Sequence, residues 1–176
     1  QAVKIRAVAL DVDGVLTDGT FTWGPGGEEF KSFSFRDVMG ISLAGKAGVV
    51  FALISGEESQ LVDRFAQKLG IGFVYKGCKD KAAALREFAA VKGFSLDETC
   101  FIGDDVNDLG LIERLTAHGL VATPADAMPE VAANAHYRCR APGGHGAFRE
   151  LAEWLLDLRR RSRPEQPPNG TTEGAR

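Results

Sequence analysis

Short apolar segments that end in polar residues or glycine recur along this chain. The first, at residues 4–10, runs directly into Asp11-Val12-Asp13-Gly14. Two carboxylates at the end of an apolar strand cost stability unless a cation lies beside them. Taken alone, such a segment is more often a strand that enters an Asp-Gly turn. The later segments make a shared site the stronger interpretation.

Three more apolar segments, at residues 49–54, 73–75 and 99–102, are also followed by polar side chains. In a parallel sheet with helical crossovers, the carboxyl ends of the strands share one edge. The sequence therefore predicts that these side chains converge on one crevice with the two aspartates of the first segment. In chain order they are Ser55, Lys81, Asp104, Asp105 and Asp108.

Helical patterns alternate with the strands, which predicts a doubly wound α/β fold with a mainly parallel sheet. The turn Gly24-Pro25-Gly26-Gly27 lies between alternating apolar and polar residues and predicts a small β-hairpin insertion over residues 20–35. The predicted strands are 4–10, 49–54, 73–75, 99–102 and 120–122. The predicted helices are 41–47, 59–69, 81–92, 109–115 and 147–158.

The length of 176 residues and the apolar content of 44% predict one folded domain over residues 1–158. Residues 159–176 are rich in Arg, Pro, Gln and Gly, and we expect them to be disordered. The net charge of -3 predicts neither a nucleic-acid partner nor a membrane partner. Because no apolar segment reaches the length of a membrane span and the three cysteines lack metal-ligand spacing, we expect a soluble, cytoplasmic protein with reduced thiols.

The ordered set of two aspartates, a serine, a lysine and an acidic cluster resembles the four motifs of the haloacid dehalogenase superfamily of phosphoryl-transfer enzymes. The resemblance covers nearly the whole predicted domain. The short chain, the continuation Gly14-Val15-Leu16-Thr17-Asp18-Gly19 and the later Gly143-Gly144-His145-Gly146 are similar to the capless branch of that superfamily. That branch contains phosphatases of 2-keto-3-deoxy sugar acids, and it implies a Rossmann-like fold.

The resemblance implies catalytic roles for four residues. Asp11 would be the nucleophile that forms an aspartyl-phosphate intermediate, which divides the hydrolysis into two steps. Asp13 would be the general acid for the leaving alcohol and later the base for water. Ser55 would donate a hydrogen bond to a phosphoryl oxygen, and Lys81 would supply positive charge. Together these roles describe a phosphoric monoester hydrolase.

The resemblance also implies a Mg²⁺ cofactor, a cation that prefers hard oxygen ligands. Asp11, Asp104 and the backbone carbonyl of Asp13 are the ligands that it assigns. Asp105 and Asp108 would lie just outside them. A solvated turn is the alternative for the second acidic segment, but it does not explain why the acidic ends of two strands should meet without a cation.

The capless branch implies a homotetramer in which the hairpin of each subunit covers a neighbour's site. Exposed aromatic side chains at Trp23, Phe30, Phe33 and Phe35 would suit such an interface, since contiguous apolar surface usually marks one. The alternative is that these rings fold back on the core of their own subunit.

Glu57, Arg64 and Lys68 are candidate contacts for the carboxylate or hydroxyls of a phosphorylated sugar acid. Eight-carbon members of the branch typically have an arginine after the Ser/Thr-Gly pair, whereas Glu57 follows Ser55-Gly56 here. The combination of Glu57 and Lys68 more closely resembles members that act on nine-carbon acids. We therefore expect a nine-carbon 9-phosphate as the substrate, with 3-deoxy-octulosonate 8-phosphate as the alternative.

Two other classes of protein fit part of this pattern. A phosphoacceptor receiver domain also combines an acidic pair, a Ser or Thr and a Lys on an α/β sheet, but its phosphorylated aspartate follows a later strand. A non-catalytic oligomerisation module would not need the full set of site residues.

Overall fold

A six-stranded parallel sheet forms the centre of the protein in the computed structural model, which describes residues 2–162. A separate two-stranded antiparallel sheet forms the hairpin. In chain order the strands are β1 (Ala7–Leu10), β2 (Thr22–Trp23), β3 (Glu29–Phe30), β4 (Val50–Ile54), β5 (Phe73–Tyr75), β6 (Thr99–Ile102), β7 (Leu120–Thr123) and β8 (Tyr137–Arg138).

The strand order of the large sheet is β5-β4-β1-β6-β7-β8. The chain runs outward from β1 to β5, then returns to place β6 on the other side of β1. Such a reversal leaves a crevice at the carboxyl ends of the two strands where it occurs, which is where open α/β sheets bind ligands. All four residues of β1 are buried, as expected of a central strand covered on both faces.

Helices cover both faces of the sheet and enclose two apolar clusters, as predicted for a doubly wound fold. On one face α1 (Phe35–Lys46), α2 (Gln60–Leu69) and α6 (Ala147–Arg161) contribute Ile41, Phe65 and Phe148. On the other face the remaining helices contribute Phe88 and Ile112. The helices are α1 (Phe35–Lys46), α2 (Gln60–Leu69), α3 (Lys81–Lys92), α4 (Leu109–Thr116), α5 (Pro129–Asn134) and α6 (Ala147–Arg161).

Several predicted boundaries are wrong. Helix α1 begins at Phe35 rather than at residue 41, because the Ser34 side chain accepts a hydrogen bond from the Arg36 N–H and caps it. Residues 2–4 form a 3₁₀ turn, so β1 is shorter than predicted. Helix α5 and strand β8 are too short to produce a clear periodic signal and were not predicted.

The predicted disordered tail began too early, because α6 continues to Arg161. The Arg159 guanidinium donates hydrogen bonds to the backbone carbonyls of Ala47 and Ile5, which ties this last turn to the domain. The rest of the predicted tail, residues 163–176, lies outside the described residues. Within residues 2–162, no helix combines the length and the apolar character that crossing a membrane requires.

The hairpin presents most of its aromatic rings to solvent. Trp23, Phe30 and Phe35 are 70%, 58% and 78% exposed. Phe33 differs, because its ring stacks on Phe65 of α2 with centroids 4.0 Å apart. The expectation that all four rings are exposed is therefore wrong for Phe33, which anchors the hairpin to its own domain.

Candidate active site

The register of the central strands brings the predicted site residues together. Leu10 pairs with Leu53 of β4 on one side and with Ile102 of β6 on the other. Because the strands are parallel and in register, Asp11 lies between the segments that carry Ser55 and Asp104. The predicted convergence on one edge of the sheet is confirmed for these three strand ends.

Asp11 and Asp108 share the ammonium group of Lys81. Lys81 Nζ donates to Asp11 Oδ2 at 2.7 Å and to Asp108 Oδ1 at 2.6 Å, and all three side chains are buried. Lys81 is placed there by the first turn of α3, which begins at the Asp80 cap. The backbone N–H of Val12 donates to the other Asp11 oxygen at 2.7 Å. Asp11 is therefore held at both oxygens.

Asp104 provides an oxygen without a protein partner. Its Oδ1 atom is buried and accepts no hydrogen bond from the described residues. One oxygen each of Asp11, Asp104 and Asp108 lies within 4.8 Å of the others. Gly14, with φ +81°, leaves room for the Asp104 carboxylate where a Cβ would collide with it.

This donor set fits a divalent cation. Three carboxylates face one ammonium group, so two negative charges stay unbalanced in a buried site. Mg²⁺ takes hard oxygen ligands and supplies two positive charges. Asp108 already uses both oxygens, one on Lys81 and one on the Asp104 N–H at 3.1 Å. Asp11 also accepts hydrogen bonds at both oxygens, so among the described residues only Asp104 offers this cluster an oxygen without a partner. The predicted ligand pair of Asp11 and Asp104 stays a prediction.

The close approach of these carboxylates also shifts the pKa values of the site residues. Burial and the neighbouring Asp108 carboxylate raise the pKa of Asp104 to about 7. Burial, followed by repulsion from Asp108, also raises the pKa of Asp11 well above its usual range despite the adjacent ammonium. Burial opposes the charge of Lys81, but the Asp11 and Asp108 carboxylates outweigh it and raise the pKa of Lys81. The pKa values of all three groups are raised, as expected in a site with excess negative charge.

Asp13 is held by a residue that the sequence reasoning missed. Lys31, which follows β3 of the hairpin, donates to Asp13 Oδ1 at 2.6 Å. Ser55 Oγ lies 3.5 Å from Asp13 Oδ2 and 3.3 Å from the Glu57 carbonyl. No local motif marked Lys31, because its partner is 18 residues away in the chain. The alternation of the hairpin, which turns Lys31 toward the domain, was the available signal.

Two of the three candidate substrate residues, Arg64 and Lys68, lie together beside Lys31, whereas Glu57 does not line the same cavity. A cavity of about 340 Å³ opens there, and Arg64 and Lys68 line it together with Lys31. Lys68 Nζ also lies 5.3 Å from the centre of the Phe35 ring. Glu57 is exposed and donates its backbone N–H to Ser55 Oγ at 3.1 Å.

Asp105 lies at the surface rather than with the buried carboxylates. Its side chain accepts a hydrogen bond from the Val106 N–H at 2.6 Å and caps the 3₁₀ turn Val106–Asp108. That turn delivers Asp108 to the site. The structure therefore brings Asp108 into contact with Lys81 and the Asp104 backbone, and it leaves Asp105 outside the buried cluster.

The sequence profile of haloacid dehalogenase-like hydrolases matches residues 54–148. The chain belongs to this family. A curated relative, 3-deoxy-D-manno-octulosonate 8-phosphate phosphatase from Yersinia pestis, is 36% identical over 156 residues, covering 89% of this chain and 82% of the relative. The predicted family and the predicted class, a phosphoric monoester hydrolase, are thereby confirmed.

Solved structures of family members have the same fold. The octulosonate 8-phosphate phosphatase from Moraxella catarrhalis, in complex with magnesium, phosphate and KDO, has a TM-score of 0.85 and 32% identity, covering 91% of this chain and 90% of that one. The cobalt-bound phosphatase from Haemophilus influenzae has a TM-score of 0.85 and 34% identity, covering 92% and 94%. The carboxylate donor set and the magnesium-bound relative both support the predicted Mg²⁺ cofactor.

The expected preference for a nine-carbon substrate is not supported. The curated relative from Yersinia pestis is named for an eight-carbon acid, and one solved relative holds KDO. The inference from Glu57 and Lys68 depended on two exposed side chains. Overall similarity to the eight-carbon enzymes outweighs it.

Proposed function

We propose that this protein hydrolyses the phosphate monoester of a 2-keto-3-deoxy sugar acid, with 3-deoxy-D-manno-octulosonate 8-phosphate as the favoured substrate. The observation that carries the proposal is the buried Asp11 carboxylate, held by Lys81 beside the unpartnered Asp104 oxygen. The relatives named for this eight-carbon substrate support its identity.

In the first step an Asp11 oxygen forms a bond to phosphorus while the bond from phosphorus to the alcohol oxygen breaks. Asp13 gives a proton to the leaving alkoxide. In the second step Asp13 takes a proton from water, the water oxygen bonds to phosphorus, and the bond to Asp11 breaks. Both carboxyl groups return to their starting state, so the cycle balances.

Charge around the phosphoryl group is the main obstacle to attack by a carboxylate. Lys81, hydrogen-bonded to Asp11, places a cation beside the nucleophile, and the Ser55 hydroxyl is within reach of a phosphoryl oxygen. Mg²⁺ held by Asp11, Asp104 and the Asp13 carbonyl would neutralise further phosphoryl charge. Together these groups favour a state in which negative charge is spread over the phosphoryl oxygens.

The cationic cavity supports an acidic substrate. Arg64 and Lys68 line it, and either could pair with a substrate carboxylate, with Glu57 available to accept from a sugar hydroxyl. Lys31 links the cavity to the general acid, since it contacts Asp13 and also lines the cavity.

A phosphate-release assay tests the proposal. Purified protein with Mg²⁺ would be given a panel of phosphates: the eight-carbon acid, a nine-carbon 9-phosphate, and neutral sugar phosphates of similar size. We expect the eight-carbon acid to give the highest kcat/KM, and the Asp11→Asn variant to release no phosphate. A higher kcat/KM for the nine-carbon acid would overturn the substrate assignment. Stable phosphorylation without turnover would overturn the phosphatase assignment in favour of a phosphoacceptor.

A homotetramer and a cytoplasmic location complete the proposal. Exposed Phe21, Trp23 and Phe30 on the hairpin support an interface with a second copy of this chain. Free thiols at all three cysteines support a reducing compartment. Light scattering on the wild type should give four times the monomer mass, and Trp23→Ser should shift it toward smaller species. A wild-type monomer at assay concentration would contradict the tetramer.

A further inference from the structure

Lys31 connects the hairpin to the catalytic aspartate pair through a continuous polar network. Its ammonium group lies 2.6 Å from Asp13 Oδ1 and 3.4 Å from Glu29 Oε1. Glu29 in turn accepts a hydrogen bond from Ser59 Oγ at 3.1 Å, and Ser59 caps the first turn of α2. The network therefore runs from a rigid helix end, through the hairpin, to Asp13.

The ion pair of Lys31 with Asp13 has a buried ammonium group, unlike the lysine ion pairs at the protein surface. The Lys31 side chain is only 2% exposed, although it comes from an otherwise exposed hairpin. A buried ammonium must be balanced by carboxylates with good geometry, and two of them hold it here. The second oxygen of Asp13 makes only a long contact, 3.5 Å, with the Ser55 hydroxyl. The rotamer of Asp13 is thus set by groups outside its own loop.

We propose that Lys31 is a positioning residue that holds the Asp13 carboxyl group in the orientation needed to exchange a proton with the leaving alcohol. The proposal rests on the hydrolysis proposed above, in which Asp13 is the acid and base. Proton transfer requires the donor oxygen within hydrogen-bond distance of the leaving oxygen. Without Lys31, Asp13 keeps only the long contact to Ser55 and can turn away.

Two simpler roles must be separated from this one. In the first, Lys31 serves only to hold the hairpin against the domain. In the second, it contacts the substrate in the cavity that it lines. Either role would change binding or folding, and neither would depend on how basic the leaving group is. A positioning role for the acid predicts that dependence.

The test compares phenyl phosphate with p-nitrophenyl phosphate. The two esters have similar size and no carboxylate, but nitrophenolate departs readily without a proton while phenolate does not. For Lys31→Met, kcat/KM with phenyl phosphate should fall by on the order of 100-fold, and with p-nitrophenyl phosphate by about threefold or less. Because partial unfolding lowers both values equally, their ratio reports the acid step alone. Lys31→Arg, which keeps the charge, should recover most of the loss.

Lys4→Met is the matched control. Lys4 also pairs with an aspartate, Asp97, at 3.7 Å, but at the surface near the opposite edge of the sheet. Lys4→Met should leave kcat/KM unchanged for both esters. Equal losses for the two esters in Lys31→Met, or no loss, would overturn the positioning role. If Lys31→Met does not fold, Lys31→Gln, which keeps a hydrogen-bond donor but removes the charge, takes its place: a selective loss with phenyl phosphate supports the proposal, and equal losses for the two esters, or none, overturn it. Absence of activity in the wild type would instead refute the proposed function.

Discussion

Replacing Asp104 with asparagine should stabilise the metal-free protein while it abolishes Mg²⁺ binding. The Asp104 carboxylate is half-buried, faces the Asp108 carboxylate, and has one oxygen without a partner among residues 2–162. In the absence of a cation this charge is a cost to the folded state. Asparagine removes the charge, keeps the shape, and can donate a hydrogen bond to a neighbouring carboxylate.

The magnitude follows from the pKa of Asp104, which is about 7 in the folded protein against an ordinary 3.8. A pKa difference of about 3 corresponds to a free-energy cost to the folded state of at most about 4 kcal/mol. Partial solvent screening reduces this cost to about 2 kcal/mol. Because folding raises the pKa of Asp104, the cost of its charge is absent below the pKa that it has in the unfolded state. It grows as the pH rises and is complete above the folded pKa, so the window is pH about 4 to 7.

Urea unfolding with EDTA at pH 5 and pH 8 measures this effect. The free energy of unfolding of Asp104→Asn should be about 2 kcal/mol larger than that of the wild type at pH 8, and the difference should be smaller at pH 5. Saturating Mg²⁺ should stabilise only the wild type. Glu113→Gln, at an exposed position of α4, is the control and should change stability equally little at both pH values. A variant less stable than the wild type at pH 8 would refute the electrostatic reasoning.

Three further changes test other parts of the site. Asp11→Asn removes the nucleophile, so phosphate release should fall to background. Lys81→Met leaves Asp11 and Asp108 without their shared ammonium, so the free energy of unfolding at pH 8 should fall by about 3–5 kcal/mol in urea; the fall should be smaller at pH 5, where the carboxyls take up protons. Gly14→Ala should weaken Mg²⁺ binding in calorimetry, because its Cβ would collide with the Asp104 carboxylate.

Controls separate these effects from general loss of structure. Gly27 also has a positive φ, +87°, but no atom of the described part of the chain lies within 4 Å of the position that a Cβ would take. Gly27→Ala therefore carries the backbone cost alone, and equal Mg²⁺ affinities for the two glycine variants would contradict the collision. Far-ultraviolet circular dichroism of Asp11→Asn should match the wild type, and residual turnover near the wild-type rate would exclude Asp11 as the nucleophile. An undiminished free energy of unfolding for Lys81→Met would contradict the shared ion pair.

Much of the fold was predictable because strands covered on both faces are apolar throughout, as β1 is. The predicted starts of α3, α4 and α6 are confirmed, whereas the predicted start of α1 is wrong. The start of α1 depends on a serine cap at Ser34 that the alternating hairpin pattern concealed. Helix α5 and β8 were missed because six and two residues are too few to establish a period.

The sequence by itself determined that acidic, hydroxyl and amine groups follow successive apolar strands, and parallel strands must bring such groups to one edge. Only the tertiary structure decided how these groups pair. It placed Lys81 between Asp11 and Asp108, left an Asp104 oxygen without a partner, and brought Lys31 to Asp13. The physical reason is that strand order and residue type are local properties of the chain. The balance of charge in a buried site depends on contacts between residues that are distant in sequence.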